Sequence, residues 1–454
     1  MRDIAGRKVN CSCDAVARTK RVGGPASSKT PGRYPATSKN VQGVVACARP
    51  PNFRDDTRHL HSASPQAISG LQPTAWSFTL NQGMKKIPFV FSIAIFLTGP
   101  VVAQVPPWGL GPFIRPARAN PIIAPNTNST FDCPISGKPV RWEALHTFNP
   151  AAVVKDGKVF VLYRAEDTTG SKDLGTHTSR LGLAVSEDGL HFNCLPRPVL
   201  FPANDSQKSD EWSGGCEDPR LIESEDGTFV VTYTQWNHRV ARLAVATSKD
   251  LIQWTKCGQI FSNLTGHCKS GAMVCKISDG QLKAAKIHGK YWMYWGEGTV
   301  SCASSDDLIH WDWGEPVLKP RPGKFDSVLV EAGPPAMLTD KGIVMLYNGK
   351  NDSASRSGDP SLPPGVYSGG QALFDPNDPA HLLARTDTPF FKPETPYERT
   401  GQYAAGTTFI EGLVFFQGKW FLYYGCADSF VAVAVWNPAL HQSFPQPMPD
   451  AARQ

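Results

Sequence analysis

One short phrase recurs five times along this chain: a glycine, an apolar or aromatic run, then a ring five or six positions on. The copies are Gly157-Lys-Val-Phe-Val-Leu-Tyr163, Gly227-Thr-Phe-Val-Val-Thr-Tyr233, Gly289-Lys-Tyr-Trp-Met-Tyr-Trp295, Gly342-Ile-Val-Met-Leu-Tyr347 and Gly418-Lys-Trp-Phe-Leu-Tyr-Tyr424. Successive starting glycines are 70, 62, 53 and 76 residues apart. A turn glycine followed by β-branched and aromatic residues reads as a hairpin strand. Five such strands at blade-sized intervals predict an all-β chain, a five-bladed β-propeller. The simpler competitor is a β-sandwich with chance repetition. In a propeller, polar residues just beyond each repeated strand meet in one central pocket although they are distant in sequence.

A second repeat keeps the same rhythm. Ser186-Glu-Asp-Gly-Leu-His-Phe192, Ser248-Lys-Asp-Leu-Ile-Gln-Trp254 and Ser304-Ser-Asp-Asp-Leu-Ile-His-Trp311 are variants of one turn closed by an aromatic residue. Ser and Asp side chains bond back to nearby backbone and hold such turns. The fourth unit departs from the wording, at Ala372-Leu-Phe-Asp375.

The amino-terminal part is of another kind. Residues 1–83 are rich in Arg, Ser, Pro and Gly, with 12 Lys and Arg against 4 Asp and Glu. Met84-Lys-Lys86, an apolar run over 87–102 and the small residues before Gln104 then make a signal-peptide pattern over 84–103. The expectation is that translation begins at Met84, that 1–83 is a disordered or untranslated extension, and that 104–454 is the glycosylated, exported domain. The rival is a signal anchor, for which a run of about 16 residues holding Pro88 and Pro100 is short. Without 1–103 the formal charge changes from +6 to 32 Lys and Arg against 36 Asp and Glu, which removes any hint of nucleic acid or an anionic membrane as partner. Eight cysteines remain (133, 194, 216, 257, 268, 275, 302 and 426), an even number that predicts disulfides in an exported protein. Sequons stand at Asn128, Asn204, Asn263 and Asn351. No CxxC pair or His/Asp cluster has ligand spacing, so neither metal nor cofactor is expected.

The densest polar motif is Gly214-Gly-Cys-Glu-Asp-Pro-Arg220. Two adjacent carboxylates and an arginine in one small space push carboxyl pKa values apart, as acid–base work requires. A loop in which Arg220 merely pairs with Glu217 is the plain alternative. Arg164, Glu166, Gln235, Glu297, Asn348 and Asp428 lie at or just beyond the repeated strands. Each alone could be a solvated strand end; in register they suggest a convergent pocket, and rings such as Trp236 would suit the apolar faces of a sugar.

From Phe148 to Val435 the chain resembles glycoside hydrolase family 130, the β-mannoside phosphorylases and β-mannosidases. The wording that carries the likeness runs in order: Phe148-Asn-Pro-Ala151, Tyr163-Arg-Ala-Glu166, Ser179-Arg-Leu-Gly-Leu-Ala184, Glu217-Asp-Pro-Arg220, Gly333-Pro-Pro-Ala336, Tyr397-Glu-Arg-Thr-Gly401 and Tyr423-Tyr-Gly-Cys-Ala-Asp428. The resemblance implies inverting chemistry on a terminal β-mannosyl group. Asp218 would be the general acid, acting through a sugar hydroxyl. Asn149, Arg164 and Asp428 would hold the mannose, with Glu166, Arg220 and Tyr347 completing the pocket. Phosphorylases of the family carry a His-Arg pair where this chain reads Tyr294-Trp-Gly-Glu297. Glu297 and Glu331 look like the hydrolase-type glutamates, one of which would activate water. The expectation is a secreted hydrolase of β-mannosides, with β-1,2-linked manno-oligosaccharide or mannan as partner. A phosphorylase using Arg239, Lys269 and Lys283 around phosphate, and a silent mannan-binding propeller, are the alternatives.

Overall fold

The computed structural model describes residues 105–171, 174–353 and 357–440, nearly all of them strand, turn or extended backbone. Residues 1–104, and with them the predicted extension and signal segment, lie outside the described residues.

All five copies of the repeated phrase fall in the second strand of an antiparallel meander. Those second strands are Lys158–Glu166, Phe229–Trp236, Lys290–Trp295, Gly342–Lys350 and Lys419–Cys426. Each leading glycine has a positive φ, between 70° and 135°, which a side chain would strain. The first meander pairs His146–Lys155, Lys158–Glu166, Ser179–Ser186 and Asn193–Cys194 in sequence order. The second repeats this from Gly215–Glu223 to Thr255–Gln259. In the third, Ala272–Ser278 pairs with Lys290–Trp295, which continues to Val300–Ser305 and Trp311–Leu318. The fourth runs from Ala336–Thr339 through Gly342–Lys350 and Tyr367–Phe374 to Leu382–Arg385. The fifth has three strands, Thr408–Phe416, Lys419–Cys426 and Phe430–Trp436. Bridges from Ile114 and Ile123 supply its missing outer edge. An edge strand left bare is a template for unwanted pairing, and here the amino-terminal segment covers it.

The ring that ends the phrase has a structural reason. In four meanders its hydroxyl donates to a carboxylate lying just before the meander: Tyr163 to Glu143 (2.7 Å), Tyr233 to Glu211 (2.8 Å), Tyr347 to Asp326 (2.8 Å) and Tyr424 to Glu398 (2.8 Å). All eight groups are buried. Each carboxylate gathers further donors, such as Arg385 and Arg321 on Asp326 and Arg115 on Glu398. In the third meander the phrase ends instead in Trp295, whose ring lies tilted against Phe261 with centroids 4.5 Å apart. A buried carboxylate that loses a donor costs about 1–3 kcal/mol. Tyr347→Phe is therefore expected to lower unfolding free energy by about that much while leaving KM unchanged. Denaturant unfolding and substrate titration of the variant check both halves.

The Ser/Asp repeat forms the turn between third and fourth strands. Ser186, Ser248 and Ser305 accept backbone N–H groups at i+2 and i+3, and Asp188, Asp250 and Asp307, two residues on, do the same. The third copy uses Ser305, not Ser304.

Two expectations are corrected. Among the described residues all eight cysteines are unpaired. Six are buried, and those six are spread over four separate apolar clusters, where they pack as small hydrophobic groups. Asn351 is no glycan acceptor in this fold: it is 2% exposed and its amide nitrogen donates to the carbonyls of Asp359, Leu362 and Pro363. Asn128, Asn204 and Asn263 are exposed.

Candidate active site

A cavity of about 400 Å³ opens where the five meanders bring the ends of their first and second strands together. Local backbone strain aims its polar residues. Asn149 (φ 47°) and Asp218 (φ 46°) sit in β-bulges that interrupt the register between Phe148 and Pro150 and between Glu217 and Arg220. A bulge re-aims a side chain, and left-handed backbone at a residue with a side chain costs about 1–3 kcal/mol. Pro150 and Pro219 follow directly and have no N–H to give the ladder, which in a strand confines proline to an edge or a bulge. Asp428 (φ 52°) stands in the turn after Lys419–Cys426. Gly425, nearby, must stay bare: a Cβ there would lie 2.5 Å from Asn149 Oδ1.

Arg164 organises one wall. Its guanidinium reaches Glu166 (2.6 Å), Glu217 (2.9 Å) and Asp218 (3.1 Å), and lies 4.6 Å over the Phe148 ring. Asn149 donates to the same Asp218 oxygen at 2.8 Å. Lys269 organises the other wall, with its ammonium 3.6 Å from Asp218, 3.4 Å from Glu297 and 3.4 Å from Glu331. Each glutamate oxygen is thus at most 7.0 Å from Asp218 Oδ2, the sum of the two distances through Lys269. Glu297 and Glu331 face each other as antiparallel partners, and Ser270 donates to Glu331.

These contacts push the carboxyls apart. Burial raises Asp218, but Arg164, Lys269 and Arg220 outweigh it and hold the group below its ordinary value. Burial, reinforced by Asp218 and Glu166 against the pull of Arg164, pushes Glu217 up to about 7. Burial also lifts Asp428 to about 7. Glu331 rises to about 7 through burial and the neighbouring Glu297, despite Lys269. Glu217, Glu331 and Asp428 are thus raised toward neutrality while Asp218 is held ionised.

Of the sequence candidates, Asn149, Arg164, Glu166, Asp218, Lys269, Glu297, Glu331 and Asp428 line this cavity. Four do not. Tyr347 is committed to Asp326 in the core. Arg239 lies exposed in a turn. Lys283 pairs with Glu223 at 3.7 Å. Arg220 is fully buried and works as a staple: it donates to the carbonyls of Asp218 (3.0 Å), Ala332 (2.8 Å) and Gly333 (3.3 Å) and meets Glu411 at 2.8 Å. That contact with Glu411 is close but poorly aligned for a hydrogen bond. The second, fourth and fifth meanders are thereby joined beneath Asp218.

Sequence reasoning missed His267, Lys350, Tyr367, Gln402 and Tyr403 as cavity residues. Lys350 stands two places beyond Asn348, and Gln402-Tyr403 directly follow the Tyr397-to-Gly401 motif. That adjacency was the available signal.

The family model for Glyco_hydro_130, described as beta-1,4-mannooligosaccharide phosphorylase, matches residues 114–440. A 1,2-beta-oligomannan phosphorylase of Thermoanaerobacter sp. (strain X514) is 32% identical over 312 residues, covering 66% of this chain and 95% of its own. A solved glycosyl hydrolase from Bacteroides ovatus is 49% identical, with a TM-score of 0.72 over 76% of this chain and 99% of that one. Another solved structure, 48% identical with a TM-score of 0.72, covers 76% of this chain and 98% of its own. It is described as showing that the GH130 family of mannoside phosphorylases contains glycoside hydrolases that target β-1,2 mannosidic linkages in Candida mannan.

Proposed function

Because the chain belongs to glycoside hydrolase family 130, we propose that it is an inverting glycosidase hydrolysing terminal β-mannosides, β-1,2-linked manno-oligosaccharides first among them. We read the five meanders as the blades of a five-bladed propeller, with the cavity on its axis.

The observation that carries the hydrolase reading is the charge balance of the cavity. Glu166, Glu217, Asp218, Glu297, Glu331 and Asp428 line it against the cations Arg164, Lys269 and Lys350. Arg164 and Lys269 are each already shared by three carboxylates. A phosphate needs paired donors not already committed, and beside Glu297 and Glu331 it would meet like charge. A neutral water meets neither cost. The 7.0 Å between Asp218 and each glutamate is an upper limit, so of the roughly 6.5–9.5 Å used by inverting enzymes it admits only the lower edge.

In this reading Arg164, Asn149 and Asp428 hold the terminal mannose. Near neutral pH Glu217 carries the proton of the Glu217–Asp218 pair, and Asp218 receives it for catalysis. A sugar hydroxyl arriving at Arg164 loosens the contacts that keep Asp218 ionised, and the proton then passes from Asp218 through that hydroxyl to the glycosidic oxygen. Glu331 or Glu297 takes a proton from the attacking water. Phosphorolysis is kept as a second reading because the 32% identical relative is named a phosphorylase.

The test is incubation with β-1,2-mannobiose, with and without inorganic phosphate. Free mannose in both supports hydrolysis. Mannose 1-phosphate, formed only with phosphate, replaces the reading by phosphorolysis. Binding without any product would make the chain a mannan-binding module. Export after cleavage before Gln104 is a separate proposal, resting on the 84–103 pattern. Peptides from 1–83 in the mature protein would overturn it.

A further inference from the structure

Buried polar side chains almost always have a partner, so each exception asks for an explanation. Among the described residues three such exceptions line the cavity: Asn149 Oδ1, Thr234 Oγ1 and Thr407 Oγ1. Asn149 is already a candidate for holding the sugar. The two threonines were not singled out by any motif. Each is 1% exposed, and neither hydroxyl has a hydrogen-bond partner among the described residues.

Their positions differ. Thr234 lies opposite Glu217 across the second meander, two residues before Trp236, which also lines the cavity. Thr407 lies just before the fifth meander's first strand, and its carbonyl accepts the N–H of Ala427, next to Asp428. One hydroxyl therefore belongs to the Glu217–Asp218 side and the other to the Asp428 side. A threonine hydroxyl both donates and accepts, as a sugar hydroxyl does. Valine has the same shape and would remove the unpaired atom, so the local packing does not require threonine at either place.

We propose that Thr234 and Thr407 are substrate-contact residues, whose hydroxyls pair with ring hydroxyls of a pyranoside bound in the cavity and so contribute to its recognition. This rests on reading the cavity as a mannoside site, and it adds two contacts that reading did not contain. A site that offers buried hydrogen-bonding groups discriminates against a ligand lacking the matching hydroxyl, because those groups are then left unpaired.

The experiment uses Thr234→Val and Thr407→Val in the full chain, with Thr→Ser at each position as the conservative control. Turnover is measured on β-1,2-mannobiose and on mannobiosides lacking one hydroxyl at a time. Each valine variant is expected to lose roughly tenfold or more in kcat/KM, the size of one lost hydrogen bond. Serine should restore most of it. Each valine variant should also become insensitive to removal of one particular sugar hydroxyl. Melting of the ligand-free proteins supplies a readout independent of activity. With no internal partner to lose, the valine variants are expected to melt at the wild-type temperature or about 2 °C above it. Wild-type kcat/KM with an unchanged deoxy-sugar profile overturns the proposal. So does a clear fall in melting temperature, which would reveal a structural partner. Failure of the wild-type chain to process any mannoside overturns the functional reading instead, and the melting arm still judges whether the hydroxyls are unpartnered.

Discussion

Asp218→Asn is expected to reduce turnover of β-1,2-mannobiose by about 10²–10⁴-fold, the usual contribution of a positioned acid–base group. The substitution is nearly isosteric. It keeps an oxygen for Asn149 and Arg164, which hold the carboxylate at 2.8 and 3.1 Å. The bulge is fixed from below by Arg220, which grips the backbone carbonyl of residue 218 rather than its side chain. The fold should therefore survive, and KM should change much less than kcat. Two partners feel the loss of charge. Arg164 retains Glu166 and Glu217, and Lys269 retains Glu297 and Glu331. Removing the Asp218 charge also removes one of the influences raising Glu217, so Glu217 should lose its proton at lower pH and the basic limb of any residual activity should move down with it. Wild-type rates in this variant would mean that the acid is another group, with Glu217 the first to examine.

The strands that carry this site were legible because the constraint on them is local. A glycine at positive φ followed by a continuous apolar or aromatic run specifies a hairpin strand, and the same phrase does so five times. The purpose of the closing ring was not legible. Tyr347 reads like a pocket aromatic, yet its partner Asp326 is 21 residues away and belongs to no repeated phrase. Arg220 shows the same limit in the opposite direction. Its place beside two carboxylates suggests a ligand-binding arginine, but carbonyls 112 and 113 residues distant claim its guanidinium. Asp218 could be marked from the crowding of its motif, and Asn149 only through the family likeness. Thr234 and Thr407 could not, because what distinguishes them is the absence of a partner in three dimensions. The cysteine count misled for a related reason: parity carries no information about whether two thiols come within bonding reach.

Glu331→Gln is expected to lower turnover by about 10²–10⁴-fold and also to change how stability depends on pH. Glu331 is 1% exposed, receives the hydroxyl of Ser270 and lies 3.4 Å from Lys269, so its oxygen is rigidly placed. The Glu297 side chain is 40% exposed and touches the same lysine. Glu297→Gln should therefore do less, unless it is the water-activating group. The pH argument separates a base from a mere ligand of Lys269. A carboxyl raised from 4.5 to about 7 binds its proton more tightly in the folded than in the unfolded chain. Its stabilising contribution is complete below pH 4.5 and is lost as pH rises through about 7. The loss is of order 3 kcal/mol for a shift of that size. Glutamine does not titrate. The stability of Glu331→Gln relative to wild type should therefore increase between pH 5 and pH 8, while its activity stays low throughout. Wild-type turnover, by contrast, should rise with pH through about 7 as Glu331 loses its proton. Unfolding curves and rates measured across that interval decide the matter. A parallel stability profile for variant and wild type would show that Glu331 is not the raised group, and a rate within about tenfold of wild type would place the base at Glu297.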